Sequence, residues 1–298
     1  MIETWKRSEL DKLMRAHGFR YSKAWGQNFL VDKNVLEKVV RGAEISPDDH
    51  VVEIGAGFGA LTVLLAQAAG RVTAIEIDAR LIPILSEVTE GLPNVTIVHG
   101  DFLKQDNRDG SYCPASEQDN KNRPYCPVNK LVGNLPYYIT TPIIASLFEP
   151  DKEGVRPEPP ELAVFMIQKE VAERLMSPPG KKAYGAISVL VQYYAEVELL
   201  STVSRDVFTP RPNVDSAIIR LRPRDLSSDD PETAARMFKL VRAGFDMRRK
   251  TLRNSLAASG YSAEDLAAAL EQTGIDHGRR AETLSPRDFY TLASFLQY

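Results

Sequence analysis

From His50 to Thr62 the chain reads HVVEIGAGFGALT, a β-branched run followed by a glycine-rich turn and the first residues of a predicted helix. The glycines of the turn are Gly55, Gly57 and Gly59. Glycines at alternate positions let the backbone turn tightly from a strand into a helix and lie close to a ligand. A strand, a ligand-binding turn and a helix in this order predict an open α/β sheet.

The same stretch bears on the kind of cofactor. The dinucleotide pattern needs a glycine or a small residue at position 60, and Ala60 could serve, so the glycines alone leave NAD open. Glu53 stands just before the first glycine. A carboxylate there would repel a pyrophosphate but suits the cationic amino acid end of a sulfonium cofactor, which the stretch therefore favours.

The next two β-branched runs also end in acidic residues. A carboxylate at the tip of the second strand of this fold accepts hydrogen bonds from ribose hydroxyls, and Glu76 has the right separation from the glycine turn for that role. We expect Asp78 to cap the following helix instead. Asp101, after the third run, can bind an adenine amine with Phe102 against the ring, although a helix cap is an alternative.

The segment Asn134-Leu135-Pro136-Tyr137 follows an apolar run, at the point where a buried strand would end. Open α/β sheets bind ligands at the carboxyl ends of their strands. The Asn134 side-chain oxygen and the carbonyl at Pro136 can both accept hydrogen bonds from one exocyclic amine, and Tyr137 can stack on the ring. The segment favours a pocket for an adenine that is alkylated at N6. A proline-terminated strand with a polar turn is the alternative.

Two further runs, 195–203 and 216–221, are predicted to pair as antiparallel strands at the edge of the sheet. The loop between them is stiffened by two prolines. It could present Phe208 as the second wall of the adenine pocket, opposite the tyrosine. Arg205 and Arg211 beside it could hold an RNA backbone.

Residues 23–30 mix amides, aromatic residues and a glycine without a clear period. Polar amides beside Phe29 and Leu30 suit a lid over a ligand that is part polar and part apolar. A packed N-terminal loop is the alternative interpretation.

Composition limits the function classes. The 298 residues, 43% hydrophobic and 26% charged, suffice for one large and one small soluble domain. No apolar run is long enough to span a bilayer, and the N-terminus lacks the apolar core of a signal peptide. Two cysteines predict a reducing, cytoplasmic setting. Because the net charge is -3, binding to a nucleic acid would have to depend on local basic patches.

Residues 105–129 are polar, contain three prolines and show no period. They are predicted to form a long surface loop or a partly disordered insert. Cys113 and Cys126 both lie in this insert. Two thiols without a histidine cluster make a poor metal site, and reduced cysteines are favoured over a disulfide. No metal is expected.

A polar linker, 222–231, precedes a helical C-terminal region with apolar residues at helical spacing. We therefore predict two domains, 1–223 and 224–298. The basic residues of the second are Arg236, Lys239, Arg242, Arg248, Arg249, Lys250 and Arg253. Such density on adjoining helix turns fits a phosphate-tracking surface, since an ordinary solvated helix would interleave more acids than the lone Asp246.

These motifs, in this order, resemble the 16S ribosomal RNA adenine dimethyltransferases, a family of Rossmann-like, S-adenosylmethionine-dependent enzymes. Further segments that carry the resemblance are Gly26 to Leu30, Gln168-Lys169-Glu170, Phe208 to Ser216 and Arg248 to Leu252. It implies a Rossmann-like methyltransferase sheet of seven mostly parallel strands with an antiparallel edge hairpin, followed by a small α-helical domain. The long insert and Tyr138, where the family often has asparagine, depart from the family pattern.

The resemblance and the motifs together predict three sets of site residues. The cofactor-binding set is Asn28, Leu30, Glu53, Gly55, Gly57, Glu76, Ile77, Asp101, Phe102 and Asn134. The catalytic set is Asn134, Leu135, Pro136, Tyr137 and Phe208. The RNA-binding set is Arg205, Arg211, Arg248, Arg249, Lys250 and Arg253.

The implied activity is dimethylation of two adjacent adenines in a hairpin loop near the 3′ end of 16S rRNA, with the immature small ribosomal subunit as partner. A monomer is expected, because no apolar seam is evident. Three alternatives stay open: a large-subunit rRNA methylase of the antibiotic-resistance branch, a non-catalytic assembly factor and an NAD oxidoreductase.

Overall fold

The computed structural model describes residues 2–22, 26–104, 128–149, 158–247 and 249–296. Nearly all of the predicted insert, with both cysteines, lies outside the described residues. So do Arg248 and part of the predicted lid, Lys23 to Trp25.

A seven-stranded sheet forms the centre of the N-terminal region. The strands of the chain are β1 (Phe29–Leu30), β2 (His50–Ile54), β3 (Arg71–Glu76), β4 (Val95–His99), β5 (Lys130–Asn134), β6 (Leu162–Gln168), β7 (Ala195–Val203), β8 (Phe208–Thr209) and β9 (Ser216–Pro223). The order in the large sheet is β4-β3-β2-β5-β6-β9-β7. The five neighbouring strands β4, β3, β2, β5 and β6 pair in parallel, and β9 runs antiparallel to β6. The predicted fold class is confirmed.

The helices are α1 (Arg7–Ala16), α2 (Lys33–Gly42), α3 (Ala60–Ala68), α4 (Ile82–Val88), α5 (Thr140–Ser146), α6 (Lys169–Met176), α7 (Ala186–Tyr194), α8 (Pro231–Asp246), α9 (Leu252–Ala258), α10 (Ala263–Thr273) and α11 (Pro286–Ser294). α9 begins at Leu252, because the Thr251 side chain accepts a hydrogen bond from Asn254 N and caps the helix. No described helix is long and apolar enough to cross a membrane.

The central strands are apolar and buried along their length. All five residues of β2 are buried, and so are five of the six residues of β3. Continuous burial is typical of parallel strands that are covered on both faces. The chemistry of this sheet is therefore confined to the turns that follow the strands.

Two compact units make up the chain. The first comprises 1–149, 155–172 and 198–223, and the second 150–154, 173–197 and 224–298. In the second unit, Tyr193 stacks on Tyr290 with 5.8 Å between ring centroids, and its hydroxyl donates to Asp229. The second unit thus includes residues 173–197, which precede the predicted border at 223; that border stays a prediction.

Candidate functional site at the carboxyl ends of the parallel strands

A cleft of about 790 Å³, counting the part that is open to solvent, lies where β2, β3, β4 and β5 end. Many of the predicted site residues line it: Asn28, Gly55, Gly57, Glu76, Ile77, Asp101, Phe102, Asn134, Leu135, Pro136 and Tyr137. Leu30, Glu53 and Phe208 do not line this cleft.

The glycine turn after β2 adopts the backbone conformation that its glycines permit. Gly55, Gly57 and Gly59 have φ of 75°, 58° and 77°. Four of the five amides of the turn already donate inside the protein: those of Gly55 and Ala56 to Ile75 O, that of Gly57 to Glu76 Oε2 and that of Gly59 to Ala56 O. These hydrogen bonds hold the turn in place independently of a ligand.

Glu76 ends β3 and links two turns. Its Oε2 accepts from Gly57 N at 2.8 Å, and its Oε1 accepts from Asp78 N at 2.9 Å. Burial raises the pKa of this carboxyl group. Glu76 lines the cleft, and a carboxylate oxygen can accept more than one hydrogen bond, so this group can also accept from the hydroxyls of a ribose.

Asp78 does not cap a helix as predicted, because α4 begins only at Ile82. Its carboxylate instead accepts from Arg80 Nη2 at 2.6 Å and from Gln27 Nε2 at 2.7 Å. Burial opposes ionisation of Asp78, but the hydrogen bonds from Arg80 and Gln27 outweigh it and hold the pKa below its usual value. Since Gln27 Oε1 also accepts from Ser22 N at 2.9 Å, Asp78 anchors the segment that precedes β1.

Asp101 combines the two roles that the sequence left open. Its Oδ1 accepts from Leu103 N at 3.1 Å and so caps a short 3₁₀ turn, Phe102–Lys104. The same residue lines the cleft, and Phe102 beside it is buried. A cap and a cleft residue are therefore compatible at this position.

The side-chain amide of Asn134 has a defined orientation. Asn134 is the last residue of β5, and its Nδ2 donates to Asn28 O at 3.0 Å. Because a carbonyl oxygen can only accept, the amide nitrogen must face Asn28 and the Oδ1 must face the other way. No donor among the described residues reaches this Oδ1.

The Pro136 carbonyl is more occupied than the sequence suggested. It accepts from Ile139 N and from Thr140 Oγ1, both at 3.1 Å. These donors use the two lone pairs of the oxygen. A role for this carbonyl in holding an amine is therefore disfavoured.

Two tyrosines follow this turn and differ in exposure. The Tyr137 hydroxyl lies 2.8 Å from Ser216 Oγ at the start of β9, and the half-buried ring lines the cleft. Burial raises the pKa of the Tyr137 phenol. Tyr138 is 51% exposed and lies against Gly26, where an added Cβ would come within 3.1 Å of its ring.

A second cavity of about 400 Å³ adjoins the cleft and shares Phe29, Gly55, Gly57 and Asn134 with it. Leu30 and Glu53 line this cavity. Glu53 is 2% exposed and accepts from Thr62 Oγ1 at 2.5 Å. Burial raises the pKa of Glu53 to about 8. Burial therefore disfavours the carboxylate form of Glu53 that the sequence argument assumed.

Phe208 is placed in the core instead of on the cleft wall. β8 pairs with β1, with Leu30 opposite Phe208, and the Phe208 side chain is 3% exposed. Its ring belongs to the large hydrophobic cluster of the first unit. The strand pairing therefore removes it from the position that the sequence predicted.

The predicted RNA-binding residues fall into two groups. In the first unit, Arg211 pairs with Asp206 at 2.9 Å, and Arg205 Nη1 donates to Asn213 O at 2.8 Å, so both help to fold their own loop. In the second unit, Arg249, Lys250 and Arg253 are exposed. The side chains of this second group are therefore accessible to solvent.

Sequence reasoning missed three residues that hold the site in place, namely Gln27, Thr62 and Ser216. Thr62 could have been found, because the first turn of a helix that follows a strand faces back toward that strand. Gln27 and Ser216 act across 51 and 79 residues, and no local pattern predicts such partners.

A family model described as ribosomal RNA adenine dimethylase matches residues 18–298. Two relatives carry the name ribosomal RNA small subunit methyltransferase A. That of Clostridioides difficile (strain 630) is 41% identical over 96% of this chain and 94% of its own length. The protein of Bacillus mycoides (strain KBAB4) is 46% identical over 95% of this chain and 94% of its own length.

Two solved structures have a similar fold over most of the chain. A dimethyladenosine transferase from Plasmodium falciparum is 27% identical with a TM-score of 0.70, covering 89% of this chain and 95% of that one. The 23S rRNA methyltransferase ErmE is 30% identical with a TM-score of 0.65, and the match covers 90% of this chain and 99% of that one.

Proposed function

We propose a function on the premise that this chain belongs to the ribosomal RNA adenine dimethylase family, whose model matches residues 18–298. The resemblance that the motifs indicated is thereby confirmed. The chain transfers methyl groups from S-adenosylmethionine to N6 of two adjacent adenines in a hairpin loop near the 3′ end of 16S rRNA, giving N6,N6-dimethyladenosines during small-subunit biogenesis. The observation that carries this proposal is the fixed orientation of the Asn134 amide at the cleft.

The residues of the cleft fit the proposed cofactor. A side chain added at Gly55 would enter the cleft 3.8 Å from Asn134 O and 3.9 Å from Pro136 Cδ, so a glycine there keeps space for a ligand. Glu76 offers acceptors to the ribose hydroxyls, Asp101 an acceptor to the adenine amine and Phe102 an apolar wall. When bound, S-adenosylmethionine supplies a methyl group on a positively charged sulfur, which makes that carbon electrophilic.

Asn134 acts on the nucleophile. The N6 nitrogen of adenine is weakly nucleophilic because its lone pair is delocalised into the ring. With Nδ2 held by Asn28 O, the Oδ1 of Asn134 is directed to accept a hydrogen bond from the amine. The Leu135 carbonyl is the second acceptor, because the Pro136 carbonyl already has two donors. Two acceptors favour a pyramidal nitrogen with a localised lone pair.

Tyr137 positions the base. Its ring lines the cleft next to Asn134, and the hydrogen bond of its hydroxyl to Ser216 fixes the ring plane. A stacked base is thereby aligned before reaction. Good alignment of reacting groups contributes about 7–11 kcal/mol to catalysis.

Proton removal does not require a side chain of the protein. The alkylated amine is acidic enough to lose its proton to water. No histidine is among the described residues that line the cleft, in keeping with a reaction that depends on positioning. A second transfer requires that the pocket accept the monomethylated base.

Exposed basic side chains can bind the RNA partner. Arg249, Lys250 and Arg253 lie at and before the start of α9, where their charges can contact phosphates. Loop adenines are suitable substrates, because unstacked bases can be drawn into a pocket. We place the enzyme in the cytoplasm, acting as a monomer on the immature small subunit.

The relatives support the small-subunit substrate over the large-subunit alternative. The small-subunit methyltransferases are 41% and 46% identical to this chain, against 30% for the 23S rRNA methyltransferase ErmE. A purely non-catalytic assembly factor would have no need of the Asn134 to Tyr137 turn with its oriented amide.

A methyl-transfer assay tests the proposal. Unmethylated small subunits and, separately, large subunits receive labelled S-adenosylmethionine and the purified chain. We expect label in small-subunit RNA only, with N6,N6-dimethyladenosine as the product after digestion. Label in large-subunit RNA would favour the antibiotic-resistance branch. Binding to small subunits without transfer would favour the assembly factor.

A further inference from the structure

Thr4 carries a hydroxyl group without a hydrogen-bond partner among the described residues. Its side chain is 1% exposed, and its Oγ1 is buried and unpaired. Buried polar groups in native proteins are nearly always hydrogen-bonded, because an unpaired one is unfavourable. Thr4 precedes α1 and belongs to no motif of the sequence. A bound ligand is a physical reason for keeping such a hydroxyl.

Thr4 borders the second cavity, together with the N-terminus of α3. Ala60 and Leu61, the first two residues of this nine-residue helix, line the same cavity as Thr4. Gly59 at the N-cap supplies no capping side chain. The first amides of a helix lack intrahelical partners and form the positive end of its dipole, which favours an anion. A residue with an unpaired buried hydroxyl and a helix N-terminus thus line the same cavity.

The adjoining cleft indicates which anion this is. The cavity shares four lining residues with the proposed cofactor cleft, so a group that extends from that cofactor can enter it. S-adenosylmethionine has an amino acid end, with an ammonium and a carboxylate. Glu53 in the same cavity suits the ammonium. No lysine or arginine is among the described residues that line the cavity, so a carboxylate there depends on neutral donors.

We propose that Thr4 is a cofactor-binding residue whose hydroxyl donates a hydrogen bond to the α-carboxylate of the cofactor beside the N-terminus of α3. The inference rests on the proposed function, since it names a contact of the same cofactor. It adds a residue from the N-terminal segment to a site that is otherwise built from the sheet turns and the segment at β1.

Thr4→Val tests the contact, because valine keeps the shape of threonine and removes the hydroxyl. Two ligands are compared by titration calorimetry: S-adenosylhomocysteine, which has the amino acid end, and 5′-methylthioadenosine, which lacks it. We expect Thr4→Val to weaken S-adenosylhomocysteine about tenfold, the effect of one hydrogen bond to a charged group, and to leave 5′-methylthioadenosine unchanged. Thr4→Ser should restore the affinity.

Thermal unfolding gives a second readout of opposite sign. In the ligand-free protein, Thr4→Val replaces an unpaired buried hydroxyl by a methyl group, so its Tm should rise. With saturating S-adenosylhomocysteine, the stabilisation by ligand should be smaller than in wild type. The matched control is Thr89→Val, at a buried threonine whose hydroxyl donates to Leu85 O at 2.8 Å. It should lower the Tm and leave the affinity for both ligands unchanged.

The outcomes separate this inference from the proposed function. Equal weakening of both ligands, or no weakening of either, by Thr4→Val would overturn the contact while wild-type binding of S-adenosylhomocysteine still supports the cofactor. Failure of the wild-type chain to bind S-adenosylhomocysteine would overturn the proposed function and this inference with it.

Discussion

Asn134→Ala removes the oriented acceptor at the end of β5 while the strand itself is retained, because Leu135 N still donates to Met166 O at 3.0 Å. The lost contact is a hydrogen bond to an amine that becomes positively charged during transfer, worth about 1.5–3 kcal/mol. The amine is also no longer aligned. Removal of one preorganised hydrogen-bonding group from an active site costs about 10²–10³-fold in rate, and we expect a loss of that size.

The assay is single-turnover transfer of labelled methyl groups to unmethylated small subunits, with RNA affinity measured separately. Asn134→Asp is an informative companion. It keeps the size of the side chain, but a carboxylate oxygen would then face Asn28 O in place of the amide nitrogen that donates at 3.0 Å. The orientation is lost, so this variant should also be slow. Asn34→Ala, at an exposed position on α2, is the control and should transfer at the wild-type rate.

Two results would refute the reasoning. The first is transfer at the wild-type rate by Asn134→Ala, which would mean that another group holds the amine. The second is a variant that transfers normally once RNA is saturating, which would mean that Asn134 contributes to binding the substrate and not to its reaction.

Three further predictions concern other parts of the molecule. Tyr137→Phe keeps the stacking ring but loses its anchor, so kcat should fall about fivefold with KM for RNA unchanged, whereas a raised KM alone would contradict the positioning role. Joint replacement of Arg249, Lys250 and Arg253 by alanine should weaken RNA affinity and reduce its salt dependence; an unchanged salt slope would place the RNA elsewhere. Burial raises the folded-state pKa of Glu53 to about 8, above its ordinary 4.5, so the folded state keeps a proton that the unfolded state releases. As the pH rises from 4.5 to about 8, the unfolding free energy of the ligand-free protein should therefore fall by about 1.4 kcal/mol per pH unit, as measured by urea denaturation. Glu53→Gln should remove this slope, and equal slopes in both proteins would contradict the prediction.

The location of the cleft could be predicted from the sequence because it depends on local patterns. Parallel strands bring their carboxyl ends to one edge of the sheet, so Gly55, Glu76, Asp101 and Asn134 had to converge once each was placed after a strand. The occupied Pro136 carbonyl also had a local signal, because a threonine four residues on commonly donates to such an oxygen.

The remaining differences come from tertiary contacts. Phe208 is buried because β8 pairs with β1, across 178 residues of sequence, and no pattern within either segment specifies that partner. Asp78 binds Arg80 and Gln27 instead of a helix N-terminus, which depends on where the segment before β1 lies. The protonation of Glu53 depends on desolvation, which a sequence does not express.

The small sheet of β1 and β8 joins two segments that are far apart in the sequence. Val31 N donates to Val207 O at 2.8 Å, and Leu30 faces Phe208, so the segment that carries Asn28 is hydrogen-bonded to the loop ahead of β9. Neither segment can shift alone without breaking these bonds. We therefore expect insertions or substitutions in the 207–215 loop to alter the affinity for the proposed methyl donor, although none of those residues lines the cleft.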